Sequence, residues 1–548
     1  MKKLVLIAFT GIIILSSGCK KLLNEDVRSQ ISNLYLNTPA GIEDGTRAAY
    51  SYLRSWYGQQ SAGWMTVYGT DEYTVGNADA VFDNYTANLN AASGVVNGVW
   101  NSLYGAINTC NSVIDAAANV TDMDTKLKDA RIAEVRFLRA HYYFLLVQQF
   151  GPLQLSLEPT VTPSTVATRS PIADVYNAII DDLNFSIANL PPTPSEYGRA
   201  SLPIAQHMLA KVYLTRASTT AAENNDYANA AALAEEVINT SGAKLLDDFA
   251  DLFVQDEGQK NSETLFACQF STDVLTNGAG NQAHLFFCSA YDVQVGMKRD
   301  LANGRPYKHY RPTNYMLNLY NKSIDSRFDK TFRTVWFCNK PGNFTINGKT
   351  VALKLRDTAF VMLDHEITAA QRDAYTKYRV FAPSEYTTDI WPMNKKFLDS
   401  LTIDNNMANG AKDFIIYRLG ETYLIAAEAL LMSGHADQAV LYINTLRRRA
   451  AKIGATPAIT VANKLAMEVT AAQLNIDFIL DERSRELSGE YMRWTDLVRT
   501  GKLIERVKKY NPAAAVLIQP YHVLRPIPQN QIDRTEGTMT AFPQNSGY

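Results

Sequence analysis

Two pairs of alanine-rich segments constrain the fold of this 548-residue chain more than any other feature. One pair covers residues 205–217 and 227–239, and the other covers residues 421–433 and 436–450. Gly434 can form the turn of the second pair, and its alanines allow two helices to approach closely. We therefore predict helical hairpins of the tetratricopeptide type, although no strict period of about 34 residues is present.

A longer helical segment precedes these pairs. Residues 128–150 place apolar side chains at spacings of three and four, from Ile132 to Leu145, which is the pattern of one helix face. Gly151-Pro152 then ends the segment. The chain is thus predicted to be mainly α, with a tetratricopeptide-like helical repeat scaffold. That scaffold covers about residues 40–57, 96–240 and 414–450.

Two large irregular insertions interrupt the scaffold, at about residues 58–95 and 241–413, and residues 451–548 form a C-terminal region. Loops of this length are functional or disordered, and their many aromatic rings argue against disorder. In GNFTINGKT, Asn347-Gly348 between apolar residues predicts a type I′ β-hairpin. This run is not a P-loop, because five residues rather than four separate its glycines.

The N-terminus has the pattern of an export signal. Lys2 and Lys3 precede an uncharged stretch over residues 4–15, which is too short to span a bilayer as a helix. Small residues then lead to Cys19, where a bacterial lipoprotein signal carries its acylated cysteine. We predict that residues 1–18 are removed and that Cys19 is lipidated. The alternative is an ordinary exported protein with a cysteine there by chance.

Composition excludes several other classes of protein. The chain has 53 Lys+Arg against 55 Asp+Glu, so no overall positive field gathers nucleic acid. The seven histidines have no metal-binding spacing, and no nucleotide or hydrolase motif is present, so neither a metal nor a cofactor is predicted. Cys268 and Cys288 could form a disulfide in an exported protein, with four buried thiols as the alternative. The other two cysteines are Cys110 and Cys338.

The run DERSREL contains the carboxylates that a catalytic hypothesis would use. Asp481, Glu482 and Glu486 could serve a surface glycosidase, which needs two carboxylates across a cleft. The interleaved arginines favour ion pairs on a helix surface, such as Asp481 with Arg485. The three consecutive arginines at 447–449 are likewise interpreted as cations at a helix end, with a polyanion site as the alternative.

Several blocks, in order along the whole mature chain, resemble the SusD/RagB family of bacterial outer-membrane nutrient-binding lipoproteins. The resemblance departs from the family only in details, such as Ser546 where the family usually has proline. The blocks are CKKLLNE after the leader, WNSLY at 100–104, AEVRFLRAHYYFLLVQQFGPL at 133–153, LPP at 190–192, GRAS at 198–201, RLGETYLIAAEALLMSG at 418–434, INTLRRRA at 443–450, DERSRELSGEYMRWTDLVRTGK at 481–502, HVLRPIPQNQI at 522–532 and the final QNSGY.

This resemblance implies one domain over residues 19–548, a helical scaffold and a ligand face made by the insertions. It implies a lipid-anchored protein on the outer membrane, facing the cell exterior, that captures a nutrient without chemistry. The implied cargo is most often an oligosaccharide, and the implied partner is a TonB-dependent SusC-like transporter. Two alternatives stay open, namely the surface glycosidase and a structural lid of the transporter with no ligand of its own.

Aromatic side chains in the insertions are the candidates for ligand contact. A sugar ring has an apolar face that Tyr or Trp can cover while polar neighbours hold its hydroxyls. One covered ring removes about 60 Å² of apolar surface from water, which contributes ~1.5 kcal/mol. For each ring, packing of the irregular domain is the competing interpretation. The candidates are Tyr73, Tyr85, Tyr291, Tyr310 and Trp336, with Asp71, Asn84 and Arg305 as polar neighbours.

Overall fold

The computed structural model describes residues 33–255, 259–402 and 404–548. The predicted leader and Cys19 lie outside these ranges, so their predictions are not tested by the structure.

Helices dominate the described chain, which confirms the predicted fold class. Before the second insertion they are α1 (Asn33–Leu36), α2 (Pro39–Ser51), α3 (Gln60–Thr66), α4 (Gly94–Ala117), α5 (Thr125–Phe150), α6 (Ile172–Asn189), α7 (Leu202–Arg216) and α8 (Asp226–Thr240). Within that insertion they are α9 (Ala283–Phe286), α10 (Asn314–Asn318), α11 (Arg327–Thr331) and α12 (Ala369–Ala374). After it they are α13 (Leu419–Met432), α14 (Ala436–Ala450), α15 (Pro457–Met467), α16 (Ile476–Leu487), α17 (Arg493–Arg499), α18 (Leu503–Tyr510), α19 (Pro512–Ala515), α20 (Gln529–Arg534) and α21 (Thr538–Ala541).

Both predicted hairpins are present, as α7 with α8 and α13 with α14. Gly434 has φ +84°, the left-handed conformation that glycine adopts without strain, and it connects the second pair. Ala426 and Ala439 are fully buried. The long segment is α5. Asp124 caps its first turn, because its side chain accepts a hydrogen bond from the Leu127 N–H, and Gly151, with φ +71°, follows its last residue.

Neighbouring helices pack in sequence from α4 to α8, and α8 then packs against α13. The second insertion therefore leaves and re-enters the scaffold between two adjacent helices. Its two ends also pair directly, because β2 (Thr264–Cys268) and β11 (Phe414–Arg418) are antiparallel neighbours.

The strands are short and lie almost entirely within the insertions. Besides β2 and β11 they are β1 (Tyr73–Val75), β3 (Tyr310–Pro312), β4 (Phe332–Arg333), β5 (Val335–Phe337), β6 (Gly342–Ile346), β7 (Lys349–Leu353), β8 (Thr358–Met362), β9 (Arg379–Phe381) and β10 (Met393–Asn394). Strands β6 and β7 form the predicted hairpin, with φ +47° at Asn347 and +74° at Gly348. The first insertion is less irregular than predicted, because it contains α3.

One strand pair joins the two insertions. Strand β1 from the first insertion is antiparallel to β3 from the second, with Val75 opposite Tyr310. Gly76 follows β1 at a point where a Cβ atom would lie 2.3 Å from the Lys308 carbonyl oxygen. A side chain there would separate the insertions, so the glycine permits their close approach.

The second insertion has a small core of its own, built from rings and sulfur atoms around Trp336, Tyr291 and Met362. Cys110, Cys268, Cys288 and Cys338 are free, buried thiols. The possible disulfide between Cys268 and Cys288 is therefore not formed, and the thiol alternative is correct. Burial raises the pKa of the Cys288 thiol to about 12, which keeps it protonated and unreactive.

A buried ionic cluster, here called the junction network, fastens this insertion to the scaffold. Arg418 lies at its centre, with Nη1 2.9 Å from Glu486 Oε1 and Nε 2.8 Å from Glu490 Oε2. Arg327 from the insertion reaches Glu482 and Glu486 on α16, at 2.8 and 3.0 Å. The network's members are Glu263, Asp325, Arg327, Lys396, Arg418, Arg449, Glu482, Glu486 and Glu490.

The junction network corrects the predicted role of DERSREL. Glu482 and Glu486 are fully buried rather than on a helix surface. Asp481 accepts hydrogen bonds from Tyr315 and Arg506, while Arg485 pairs with Glu482, so the predicted Asp481–Arg485 pair is wrong. The arginines at 447–449 do lie in the last turn of α14, as predicted, and each also pairs with a carboxylate. Sequence neighbours could not reveal these partners, since most come from distant segments.

Candidate functional site

The structure places the five predicted ligand-binding rings in the protein core. Tyr73, Tyr85, Tyr291, Tyr310 and Trp336 are each no more than 3% exposed. A sugar needs an accessible ring face, and none of these rings offers one. The prediction that they form the ligand platform is therefore wrong for this structure, and the packing alternative describes them.

Specific contacts explain why these rings are buried. The Tyr291 hydroxyl donates to the Gly304 carbonyl oxygen at 2.6 Å, and the Tyr85 hydroxyl donates to the Gly69 carbonyl oxygen at 2.7 Å. Trp336 stacks on Phe360, with ring centroids 4.5 Å apart. Tyr310 makes edge contacts with Tyr68 and Phe287, and Tyr73 shares a hydrogen bond with Ser488.

The three polar candidates differ from one another in burial. Asp71 is fully buried and accepts bonds from Arg493 and Arg506, which hold the pKa of its carboxyl below the usual range against the effect of burial. Its role is structural, so this candidate is also corrected. Asn84 is half-buried and its Oδ1 atom has no hydrogen-bond partner among the described residues. Arg305 stays partly exposed and donates to the Asn406 carbonyl oxygen.

Arg305 belongs to a group of neighbouring side chains, here called the aromatic row, which consists of three partly exposed residues, Trp64, Tyr307 and Arg305, and the buried His309. The Arg305 guanidinium carbon lies 5.1 Å from the centre of the Tyr307 ring. The Tyr307 ring centre is 5.7 Å from that of His309, which is 6.5 Å from that of Trp64. Tyr307 and Trp64 are partly exposed, unlike the predicted rings.

Both insertions contribute to the aromatic row. Trp64 comes from α3 in the first insertion, whereas Tyr307 and His309 immediately precede β3 in the second. The β1–β3 pair therefore brings these rings together across more than two hundred residues of sequence. The spacing of Arg305, Tyr307 and His309 gives no usable sequence signal for the row, because Lys308 between the two rings has φ +58° and interrupts the alternation of an extended segment.

Polar groups beside the aromatic row also come from both insertions. Asp389 accepts hydrogen bonds from Lys308 at 2.7 Å and from Asn77 at 3.0 Å. The Lys308 bond is the main cause of the lowered pKa of the Asp389 carboxyl. Burial lowers the pKa of His309 to about 4, so this ring is neutral at pH 7. The neighbourhood therefore offers rings, an amide and a paired charge, which suits an uncharged polyol.

A concave feature of about 260 Å³, here called the insertion cleft, lies in the second insertion after β3. Its floor is apolar and includes Leu317, Phe328 and Met362, all largely buried. Asn314 and Asn318 lie on α10 at its rim, and Tyr386 lines it as well. An apolar floor with polar groups at its rim is typical of small-molecule sites.

The carboxylates of the glycosidase hypothesis do not form a catalytic pair. Glu482 and Glu486 are buried against arginines, which hold both pKa values low despite burial, at about 2 for Glu482. A general acid must instead keep its proton near neutral pH.

In the described chain, no group of histidine, cysteine, aspartate or glutamate side chains is arranged to hold a metal ion. Among the same residues, no helix is long and apolar enough to cross a membrane.

Known proteins resemble this chain over nearly its full length. SusD-like protein P25 of Formosa agariphila is 25% identical, with complete coverage of both chains. The starch-binding protein SusD of Bacteroides thetaiotaomicron is 24% identical, covering 80% of this chain and 76% of the relative. A laminarin-binding SusD-like protein of solved structure matches with a TM-score of 0.70 at 23% identity, covering 93% of this chain and 100% of its own.

A second solved structure is surface glycan-binding protein A of Bacteroides thetaiotaomicron in complex with laminarihexaose. It matches with a TM-score of 0.67 at 20% identity, covering 93% of this chain and 99% of its own. A family model described as starch-binding and associating with the outer membrane matches residues 26–214. The SusD family model matches residues 262–548, more than half of the chain, and the protein therefore belongs to the SusD family.

Proposed function

We propose that this protein is a lipid-anchored surface protein that captures an oligosaccharide on the aromatic row and delivers it to a TonB-dependent SusC-like transporter. The observation that carries the binding role is the row itself, where two insertions combine partly exposed rings with an amide and a carboxylate that is paired with a lysine. Membership of the SusD family supports the same role.

The aromatic row can hold a sugar by ordinary surface burial. Two rings that each cover about 60 Å² of apolar sugar surface contribute ~3 kcal/mol, before the cost of association is subtracted. Binding of this kind is weak, in the range of about μM to mM. Weak capture suits a protein that must release its ligand to a second protein, and the process requires no chemical step.

The export signal supports the location. In this proposal residues 1–18 are removed, Cys19 carries the acyl chains and residues 19–548 act as one domain on the outer face of the outer membrane. Each buried CH₂ group of the anchor contributes ~0.8 kcal/mol to membrane attachment. Cys19→Ser should move the protein from the membrane fraction to the soluble fraction, and unchanged fractionation would contradict lipid anchoring.

Binding and catalysis are separated by one experiment. The mature chain is titrated with laminarin, starch, cellulose and chitin oligosaccharides by calorimetry, and each mixture is then assayed for new reducing ends. We expect binding of at least one glycan with no new reducing ends. New ends that disappear in Glu482→Gln would instead support the glycosidase hypothesis.

The partnership needs its own test. A tagged protein purified from its own cells in mild detergent should retain a TonB-dependent barrel protein, identified by mass spectrometry. Co-purification without glycan binding would favour the structural-lid alternative. Purification without the barrel would contradict the delivery role while leaving the binding role intact.

A further inference from the structure

We propose that the insertion cleft binds the N-acetyl group of a sugar, and so gives the protein a preference for N-acetylated glycans. This inference rests on the proposed glycan-binding function, but it concerns a place other than the aromatic row. The inference is based on an apolar floor, on free amides at the rim and on carboxylates that already have hydrogen-bond or ion-pair partners.

The floor of the insertion cleft matches a methyl group better than a hydroxyl group. Leu317, Phe328, Met362 and Pro392 are largely buried side chains that line a space of about 260 Å³. Leu317, Met362 and Pro392 offer no polar atom to a sugar hydroxyl, which would lose its hydrogen bonds to water beside them, whereas the Phe328 ring lies 4.4 Å from the Lys322 ammonium. An acetyl methyl group gains from the same surroundings, by about fourfold in affinity for one buried carbon.

The rim supplies the groups that an acetamide needs. Asn314 and Asn318 lie one turn apart on α10, both are exposed, and in the described part of the chain neither side-chain amide has a hydrogen-bond partner. A side-chain amide can donate to the acetyl carbonyl and accept from the acetamide N–H. One such bond raises affinity by about fivefold.

The charged residues at the rim do not favour an anionic ligand. Glu366 accepts from the Ser384 N–H at 2.7 Å and from the Ser384 hydroxyl at 2.6 Å. Asp364 lies 2.9 Å from His365 Nδ1 and 3.6 Å from Lys322 Nζ. Lys322 and Asp364 pair with each other and Glu366 already accepts two hydrogen bonds, so a neutral substituent fits the cleft better than a carboxylate or sulfate group.

The test uses the mature full-length chain and two small probes, methyl N-acetyl-β-glucosaminide and methyl β-glucoside. These probes differ only in the acetamide, and neither depends on the linkage of a particular glycan. We expect the acetylated probe to bind about tenfold more tightly in ligand-observed NMR titrations. Saturation transferred from the protein should be strongest at its acetyl methyl group.

Variants of the rim test whether the preference for the acetylated probe arises in the insertion cleft. The double variant Asn314→Ala, Asn318→Ala should remove most of the tenfold difference without changing the melting temperature, because both residues are exposed. Asn119→Ala is the matched control, since Asn119 is an exposed asparagine on the scaffold with an equally free amide. Equal affinity for the two probes, or a preference that survives the double variant, would overturn the inference.

Tyr307→Ala separates this inference from the proposed function. It should weaken oligosaccharide binding while leaving the preference for the acetylated probe in place. If the preference disappears with Tyr307→Ala instead, the acetyl group binds at the aromatic row and the cleft inference is wrong. If oligosaccharide binding is unaffected by Tyr307→Ala, the proposed role of the row fails, whatever the cleft does.

Discussion

The inner and outer sides of the second insertion use the same types of residue for opposite purposes. On the inner side Trp336 stacks on Phe360, and Arg327 is enclosed by carboxylates. On the outer side Tyr307 and Arg305 contact each other at the surface. Rings and cations inside hold the fold together, whereas those outside stay partly exposed to solvent. Residue type alone therefore does not distinguish a binding ring from a core ring.

The largest effect should come from breaking the junction network. Arg418→Ala leaves Glu263, Glu486 and Glu490 without their shared cation in a buried place, and we expect a loss of about 5 kcal/mol in the free energy of unfolding. Chemical denaturation measures it. Arg448→Ala is the control, because Arg448 pairs with Glu468 on the surface and should lose less than about 1 kcal/mol. Similar losses in both variants would contradict the importance of burial.

The next largest effect should come from the ring core. Trp336→Ala removes a ring that is 1% exposed, and we expect a loss of about 4 kcal/mol in the free energy of unfolding. Phe337→Ala, its neighbour at 58% exposure, should change stability by less than about 0.5 kcal/mol. A stable Trp336→Ala protein with weakened glycan binding would show that this ring faces ligand after all.

Lowering the pH should destabilise the protein through the junction network. Arginines lower the pKa of the buried Glu482 carboxyl to about 2 from an ordinary 4.5. The unfolded chain therefore binds this proton more tightly, so the contribution to stability, about 3 kcal/mol, is complete above pH ~5 and is lost as the pH falls towards 2. The melting temperature should fall as the pH is lowered from 7 to 3. Glu482→Gln should have a lower melting temperature at pH 7 and a smaller decrease over the same range. An equally steep fall would assign the acid sensitivity to other carboxyls.

A smaller effect is expected on the outer side, and it concerns binding rather than stability. Tyr307→Ala should weaken oligosaccharide binding by about tenfold, the contribution of one covered sugar ring, with little change in melting temperature. Tyr213→Ala is the matched control, because Tyr213 is also a partly exposed ring beneath an arginine, Arg216, but lies on α7 of the scaffold. Equal loss of binding in both variants would remove the aromatic row from the ligand site.

The smallest effect should come from Arg305. Its guanidinium is partly exposed over Tyr307, so Arg305→Gln should weaken glycan binding by about threefold and leave stability unchanged. Calorimetry with the best glycan from the panel measures it. A loss larger than that of Tyr307→Ala would indicate that a direct ionic or hydrogen-bonded contact, and not the ring, dominates the site.

Local patterns in the sequence determined the helical part of this protein. The apolar spacing of α5, the turn at Gly434 and the hairpin turn at Asn347-Gly348 are each set by residues within a few positions of one another. Helices and tight turns are stabilised by such short-range contacts, so their sequence patterns carry the information. The motif order likewise identified the SusD family, which the family comparison confirms.

Only the tertiary structure decided which rings and charges are exposed. Pairing of β1 with β3 brings Trp64 near His309, and Tyr307 stays partly exposed while Tyr310, three residues further on, is buried. Glu482 and Glu486 acquire their partners from β11, α11 and α14, which are remote in sequence. Exposure and ion pairing depend on contacts between distant segments, and no spacing along the chain records them. The sequence thus determined the scaffold and the family, and the long-range packing determined the site.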